Sequence, residues 1–480
     1  MPDRQVAEKH FTQADQERFA ALSGDRNPMH MDALAARRTM AGRPVVHGIH
    51  AVLWSLDSLL PAAGIPVPVC SVAADFRKMI LVGDDVRLVR TAEPTPQKPV
   101  LKARIVAGGI AAVDLTIAFG EAATAALPAE DDPFSEPLEP IALSFEAMAD
   151  RRGRTRLDAG RAEAVAQAFP AVAQALGPLR TVGLACSTYL VGMVCPGLHS
   201  IYGGFRFAVN AAAVDPALHF RVAASDERFR NINLAVAGYG WSGTIGAFAR
   251  PEPVAQCDMA AVAARVRPGE FIGTNALILG GSRGLGELVA KIASAGGADV
   301  TLTYAVGEAD ARRVQAEIAA AGGRCEILRY DVHGHAGEQL SRLAERPSEA
   351  YYLASPQIFR RKDGSYDRSA FDDFFAHYVT GFHGFCRALR ERFEGPIPVF
   401  YPSSLAVETR PANMTEYAMA KAAGEILCAD LGPGERPGPI LTRRLPRLPT
   451  DQTATLFAAE DVDAIDVMLP IVRAMREARG

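Results

Sequence analysis

The sequence predicts two kinds of architecture in one chain: an α+β part, then an α/β part built on a doubly wound parallel sheet. Three observations carry this prediction. At 480 residues and 49% apolar content, the chain exceeds what one ordinary hydrophobic core needs. Its first half contains an internal repeat: SVAADFR (71–77) answers to SIYGGFR (200–206), and the pairs Phe76/Phe205 and Phe119/Phe248 are each 129 positions apart. From Asn275 onward the rhythm changes to strand, turn and helix, the pattern of a parallel sheet.

Two proline-rich stretches interrupt the apolar periodicity and read as linkers, PAEDDPFSEPLEP (128–140) and RPEPVAQ (250–256), the second followed by VRPGE (266–270). They set three expected domains at 1–127, 141–255 and 270–480. In each of the first two, a small-residue apolar segment (HGIHAVLWSLDSLL; VGLACSTYLVGMV) predicts a buried helix. Strand-like runs such as DDVRLVRT and VLKARIV follow it in the first copy, so an antiparallel sheet wrapped around a helix is expected. In the third piece, NALILGG is a strand ending in glycines, ELVAKIASAGG a helix with a glycine stop, and ADVTLTY the next strand.

A formal charge of −4 and the absence of long like-charge blocks give no field to recruit a polyanion, so nucleic acid is not an expected partner. The N-terminus lacks a basic start followed by an apolar run, and Val182 to Val194 is too short to cross a bilayer. A cytoplasmic protein without membrane attachment is expected. The seven cysteines are scattered singly, with no CxxC pair, and read as core thiols rather than metal or redox groups.

The segment FAALSGDRNPMHMD (19–32) places Asp25 and His30 in a loop, because Gly24 and the Asn27–Pro28 pair break any helix. A carboxylate and an imidazole converging on one water can take a proton from it and deliver one to a neighbouring carbon, as hydration of a conjugated double bond requires. Alone, the motif could equally be a turn with a solvated histidine. SGDRNPMH followed by GRPVVHGIH (42–50) resembles the motif of the MaoC-like, (R)-specific enoyl-CoA hydratases, which have the hotdog fold. The resemblance implies that Asp25 and His30 activate water, that Asn27 orders the loop, and that the Gly48 amide forms an oxyanion hole. A glycine opening a central helix suits that last role. His47 and His50 read as packing residues at the helix start, with no metal expected. Adding the repeat offset to positions 25 and 30 leads to Arg154 and Ala159, so the second copy is expected to be inactive and to supply the face a single hotdog obtains by dimerising.

In the third piece GGSRGLG (280–286) follows an apolar strand and opens a helix, a context in which glycines let the backbone approach a pyrophosphate. Tyr417 and Lys421 in YAMAK lie one helical turn apart, and Ser404 closes a strand-like run 13 positions before the tyrosine. An ammonium lowers a phenol's pKa and a hydroxyl can hold a substrate oxygen, so these three can pass a proton while a hydride moves. YxxxK without the glycine loop would be an ordinary helix pair. Together they make the piece similar to the short-chain dehydrogenase/reductases, whose domain is of the Rossmann type. That resemblance implies a nicotinamide cofactor held by Gly280, Ser282, Arg283, Gly284, Leu285, Gly286, Tyr304, Asp331, Ala354, Tyr417 and Lys421. Tyr304 in place of an acid, with Arg283 in the loop, favours NADP(H) over NAD(H). Two departures stand out: ASPQ (354–357) replaces the family's Asn-Asn-Ala-Gly, and the helix asparagine expected around 377–380 is absent.

The whole is expected to be a double hotdog fused to a Rossmann-type reductase, a bifunctional enzyme interconverting trans-2-enoyl, (R)-3-hydroxyacyl and 3-ketoacyl thioesters of CoA or acyl carrier protein. It is expected to form a homodimer or higher homo-oligomer. The alternatives are a reductase acting on a polyketide or nucleotide sugar, and a non-catalytic acyl-binding or assembly protein.

Overall fold

The structure, a computed structural model, describes residues 4–62, 67–122, 132–359, 366–453 and 462–479. The expected end of the first domain at 127, and the start of the first linker, lie outside the described residues. The chain forms two compact units, divided between Glu252 and Pro253.

The first unit is built on one sheet. Its first half contributes β1 (Arg4–His10), β2 (Val69–Phe76), β3 (Asp85–Ala92), β4 (Val100–Ala107) and β5 (Ile110–Phe119). Its second half contributes β6 (Arg152–Thr155), β7 (Ser200–Val209), β8 (Leu218–Asp226), β9 (Asn231–Gly238) and β10 (Trp241–Ala249). The order across the sheet is β1-β3-β4-β5-β2-β7-β10-β9-β8-β6, all antiparallel. Each half therefore repeats one topology, and the halves join through β2 and β7, with Val72 opposite Phe207 and Ala74 opposite Phe205. Phe119 and Phe248, a repeat pair in the sequence, fall on the equivalent strands β5 and β10.

Alternation places Leu101, Ala103, Ile105 and Ala107 of β4 in the core, the period of two that a half-buried strand imposes. The helix Gly48–Leu59 buries Ile49, Val52, Leu53, Leu56 and Leu59 on the same core. Each of those side chains contributes about 1.5–3 kcal/mol of burial. The helix Pro178–Tyr189 is buried from Thr181 to its end, and it continues as a π-turn, Leu190–Val194. A helix apolar or small on all faces has to lie inside the fold, as this one does.

The offset of 129 does not extend to the start of the second half. Arg154 lies on β6, the counterpart of β1, and Ala159 opens the helix Ala159–Ala168, so neither stands where Asp25 or His30 stands in the first half. By element order the counterpart of the Asp25 loop is the helix Pro170–Leu176, PAVAQAL, which has no acid and no imidazole.

The second unit carries a parallel sheet of β11 (Asn275–Leu279), β12 (Asp299–Tyr304), β13 (Cys325–Arg329), β14 (Glu349–Tyr352), β15 (Val399–Ser404) and β16 (Ile440–Leu445). Its order is β13-β12-β11-β14-β15-β16, a doubly wound sheet whose direction of winding reverses between β11 and β14. The crevice at the carboxyl ends of those two strands is where such sheets bind nucleotides. Val266, in the stretch 266–270 that followed the second linker, belongs to this unit's core, buried with Met259, Val262 and Phe271 in the cluster that holds Ile278, Leu288 and Ile292. A proline-glycine pair at 268–269 there marks a turn inside a domain, not a boundary.

Candidate functional site

In the first unit, the helix Gln13–Ser23 ends at Gly24 in the left-handed conformation, φ 76°, which turns the chain inward so that Asp25 is buried. Asn27 then caps the short helix Pro28–Met31 by accepting from the Met29 N–H at 3.1 Å, which sets His30 in the last turn. The Asn27 amide donates to Gly192 O at 2.9 Å and Gly197 O at 3.2 Å, tying the loop to the second repeat.

Asp25 is the centre of this arrangement. Its Oδ1 accepts from the Asn27 N–H at 3.1 Å and its Oδ2 accepts from the Thr188 hydroxyl at 2.7 Å. A Cβ on Gly192 would lie 2.3 Å from Asp25 Oδ1, so the π-turn has to carry a glycine there. Burial raises the Asp25 carboxyl above its ordinary range, opposed by His30 and by the Thr188 and Asn27 hydrogen bonds. His30 Nδ1 lies 2.6 Å from Val45 O, an acceptor only, so the neutral ring keeps its proton on Nδ1 and leaves Nε2 open. Ligand-type atoms of Asp25, His30 and His47 all lie within 4.8 Å of one another.

His47, expected only to pack, joins this centre. Its ring stacks on His30 with centroids 3.9 Å apart, its Nε2 lies 3.1 Å from Asp25 O, and its Nδ1 lies 3.0 Å from Gln16 Oε1. Burial first, then the neighbouring His30, hold it far below the usual imidazole range, so it is a neutral strut for the Asp25 loop. His50 does pack: it stacks on Phe19 at 4.6 Å, and burial pushes its pKa down to about 3. Gly48 is the first residue of the helix Gly48–Leu59, where an N–H has no partner in the helix ladder, and a Cβ there would lie 2.7 Å from the Phe76 ring. A cavity of about 1210 Å³ reaches Gly24 and Arg26 on either side of Asp25 and is lined by Arg161, Leu179, Val182 and Tyr189 among others.

In the second unit, the turn after β11 approaches the segment after β14 closely: a Cβ on Gly280 would lie 2.8 Å from Ala354 Cα. Gly280, φ 75°, and Gly284, φ 58°, are in the left-handed region, and a Cβ on Gly286 would lie 2.1 Å from Gly280 O. Ser282, Arg283 and Leu285 complete the turn, and the helix Gly284–Ala295 starts from it with Arg283 as N-cap. Arg283 Nη1 lies 3.6 Å from Asp451 Oδ2. Tyr304 ends β12 and its hydroxyl interacts with Glu308. Asp331 is exposed after β13, its Oδ1 accepting from the His333 N–H at 3.0 Å.

Ser404 ends β15 and is brought to Tyr417 on the helix Thr415–Asp430, where the two side chains are hydrogen-bonded. Lys421 lies on the same helix, 4% exposed, and its Nζ donates to Pro402 O at 2.6 Å. The ammonium does not draw the phenol down as the spacing leads one to expect. Burial raises Tyr417 and pushes Lys421 down to about 7, so desolvation works against the charged form of each. Where the helix asparagine is missing, a π-turn, Ala376–Thr380, places Tyr378 beneath Lys421, with Nζ 3.6 Å from the ring centroid. The Tyr378 hydroxyl pairs with that of Ser355, from ASPQ, at 2.6 Å.

Residues 1–97 match the model of the MaoC like domain. The N-terminal part of the chain carries a MaoC-like domain. A 3-hydroxybutyryl-CoA dehydratase of Methylorubrum extorquens is 31% identical over 98 residues, 20% of this chain and 61% of that protein. An (R)-specific enoyl-CoA hydratase of Aeromonas caviae is 40% identical over 81 residues, 16% of this chain and 59% of that protein. The chain thus spans about 60% of the length of these curated relatives. Among solved structures, a putative short chain dehydrogenase of Pseudomonas syringae is similar at TM-score 0.36 and 20% identity, covering 44% of this chain and 92% of that one. FolM alternative dihydrofolate reductase 1 of Brucella canis, complexed with NADP, gives TM-score 0.30 and 16% identity over 33% and 67% of the two chains.

Thr188, Gly192, Gln16, Tyr378 and Ser355 escaped the sequence reading. Thr188 and Ser187 are hydroxyls inside an otherwise apolar buried helix, and that was the available signal. For Tyr378 the signal was the missing asparagine itself.

Proposed function

We propose that the chain is a bifunctional enzyme that interconverts enoyl, (R)-3-hydroxyacyl and 3-ketoacyl thioesters, by hydration in the first unit and by nicotinamide-dependent redox in the second. The observation that carries the reading is the buried meeting of Asp25 and His30, which leaves a carboxylate and a free imidazole nitrogen facing one point. One water held between them adds its oxygen to C3 of the enoyl thioester. The proton it gives up passes through the pair to C2, and the Gly48 N–H donates to the thioester oxygen as charge gathers there. The cavity beside the loop is lined largely by apolar side chains, among them Leu157, Leu179 and Val182, which suits an acyl chain.

In the second unit the glycine turn, the start of the helix Gly284–Ala295 and Ala354 fit a dinucleotide, because side chains at 280 and 286 would close the turn. The cofactor, when bound, supplies or accepts the hydride. Ser404 holds the substrate oxygen, Tyr417 exchanges its proton with that oxygen, and Lys421 orients the nicotinamide ribose. Arg283 is the group for a 2′-phosphate, and NADP(H) is the proposed cofactor. Incubation with 3-ketoacyl-CoA substrates and NADPH should consume NADPH, and enoyl-CoA should lose its conjugated absorbance. Failure of both across a range of acyl lengths overturns the reading.

A further inference from the structure

The second unit departs from its resemblance at two places that the fold brings together. Tyr378 stands where a polar helix residue is expected, and Ser355 stands in the altered segment after β14. Tyr378 is 1% exposed, and its backbone oxygen accepts from the Tyr401 hydroxyl at 3.0 Å, which locks the π-turn against β15. Its ring stacks on Phe374 at 6.1 Å and meets Tyr417 edge-on at 5.7 Å. The hydroxyl is held by Ser355, so the ring has little freedom to turn.

Lys421 projects into this box. Its Nζ lies 3.6 Å from the Tyr378 centroid, 5.2 Å from that of Tyr401 and 5.9 Å from that of Tyr417. Its Nζ donates a hydrogen bond to Pro402 O. The other titratable groups acting on it are on its own helix: Cys428, and Glu425, which is engaged by Ser403 and Arg444. An ammonium with three N–H groups therefore meets one carbonyl and an aromatic face, where a smaller polar side chain would admit water or donate an oxygen.

We propose that Tyr378 is a positioning residue for Lys421: its ring face, clamped by Ser355, holds the lysine head group and keeps water from it, replacing the polar residue expected there. A ring face attracts an ammonium but hydrates it poorly, so Lys421 gives up its proton readily until cofactor oxygens reach it. Proton affinity at Lys421 then becomes coupled to cofactor binding. Ketone reduction at subsaturating cofactor falls as pH rises above about 7, because the protonated lysine is the form that binds the ribose. The functional consequence rests on the reductase reading of Ser404, Tyr417 and Lys421, while the contact itself does not.

The test is an NMR titration of lysine Cε resonances in the full chain, with the Lys421 signal assigned from Lys421→Met. Three substitutions separate the ring from its hydroxyl and from its bulk. Tyr378→Phe, which keeps the ring face and frees it from Ser355, should shift the midpoint of Lys421 less than either of the other two. Tyr378→Leu, which keeps the site dry and deletes the ring face, should lower it. Tyr378→Asn, which admits water and an amide oxygen, should raise it by about one pH unit or more. The same order should appear in the pH at which NADPH affinity weakens. Equal midpoints in the Phe and Leu variants overturn the proposal, and this comparison stands if the Asn variant fails to fold. If the midpoints follow the expected order but no ketoacyl thioester is reduced, the reductase reading fails and the role of Tyr378 stands. If reduction is robust and Tyr378→Asn leaves both midpoint and pH profile unchanged, Tyr378 has no such role.

Discussion

Replacing Thr188 by Val tests whether the second repeat takes part in hydration. The substitution keeps the shape of the side chain and deletes the donor that lies 2.7 Å from Asp25 Oδ2. Asp25 is 1% exposed, so solvent does not readily replace the lost bond. A hydrogen bond to a charged group contributes about 1.5–3 kcal/mol, and about 1.4 kcal/mol is a factor of ten. The ionised carboxylate should therefore be about 10- to 100-fold less populated wherever it titrates. The assay is loss of enoyl-CoA absorbance followed across pH, with NADPH consumption on a ketoacyl thioester as the control. Thr188→Val should slow hydration by that factor at the acid side and move the acid limb of the profile to higher pH. Thr188→Ser should restore most of the rate. Hydration within twofold of wild type at every pH, or an equal fall in both activities, refutes the reasoning.

Gly192→Ala should abolish hydration without touching reduction, because its Cβ would lie 2.3 Å from Asp25 Oδ1 and must displace it; unchanged hydration refutes this. Asp25→Asn should also stop hydration, yet stabilise the first unit at neutral pH. Its folded pKa is raised above the unfolded value of 3.8, so the folded state binds its proton more tightly, and that contribution is lost as pH rises through the folded pKa. The gain in thermal midpoint should shrink toward pH 4, and a gain that grows on acidification would contradict the sign. Tyr417→Phe should remove ketone reduction while NADPH binding, read by its fluorescence, persists; near-normal turnover would exclude the Ser404–Tyr417–Lys421 relay. Arg283→Ala should weaken NADPH far more than NADH if the guanidinium, 3.6 Å from Asp451 here, turns to a 2′-phosphate, and equal losses would remove that role.

Much of this protein was legible from local pattern alone. A glycine-ended apolar strand leading into a helix specified the glycine turn of 280–286, because φ and ψ preferences and the hydrophobic period act over a few residues. At 24–30 the local reading held only in part: Gly24 ends the preceding helix and leaves Asp25 in a turn, but His30, expected in the same loop, stands on the short helix Pro28–Met31, because a proline in the first turn opens a helix rather than breaking it. The repeat showed itself at β2/β7 and β5/β10, where equivalent strands keep their spacing, and misled at Arg154 and Ala159, where the second half is built with different helices. What the tertiary structure decided is which distant groups meet. Thr188, on the buried helix Pro178–Tyr189, reaches Asp25 across 163 positions, and no local periodicity encodes that meeting. His47 became a strut, and Tyr378 a seat for Lys421, by the same kind of long-range packing. The titration behaviour was likewise hidden. A tyrosine and a lysine one turn apart spell an activated phenol, but desolvation is set by everything packed around them, and here it pushes Tyr417 up and Lys421 down.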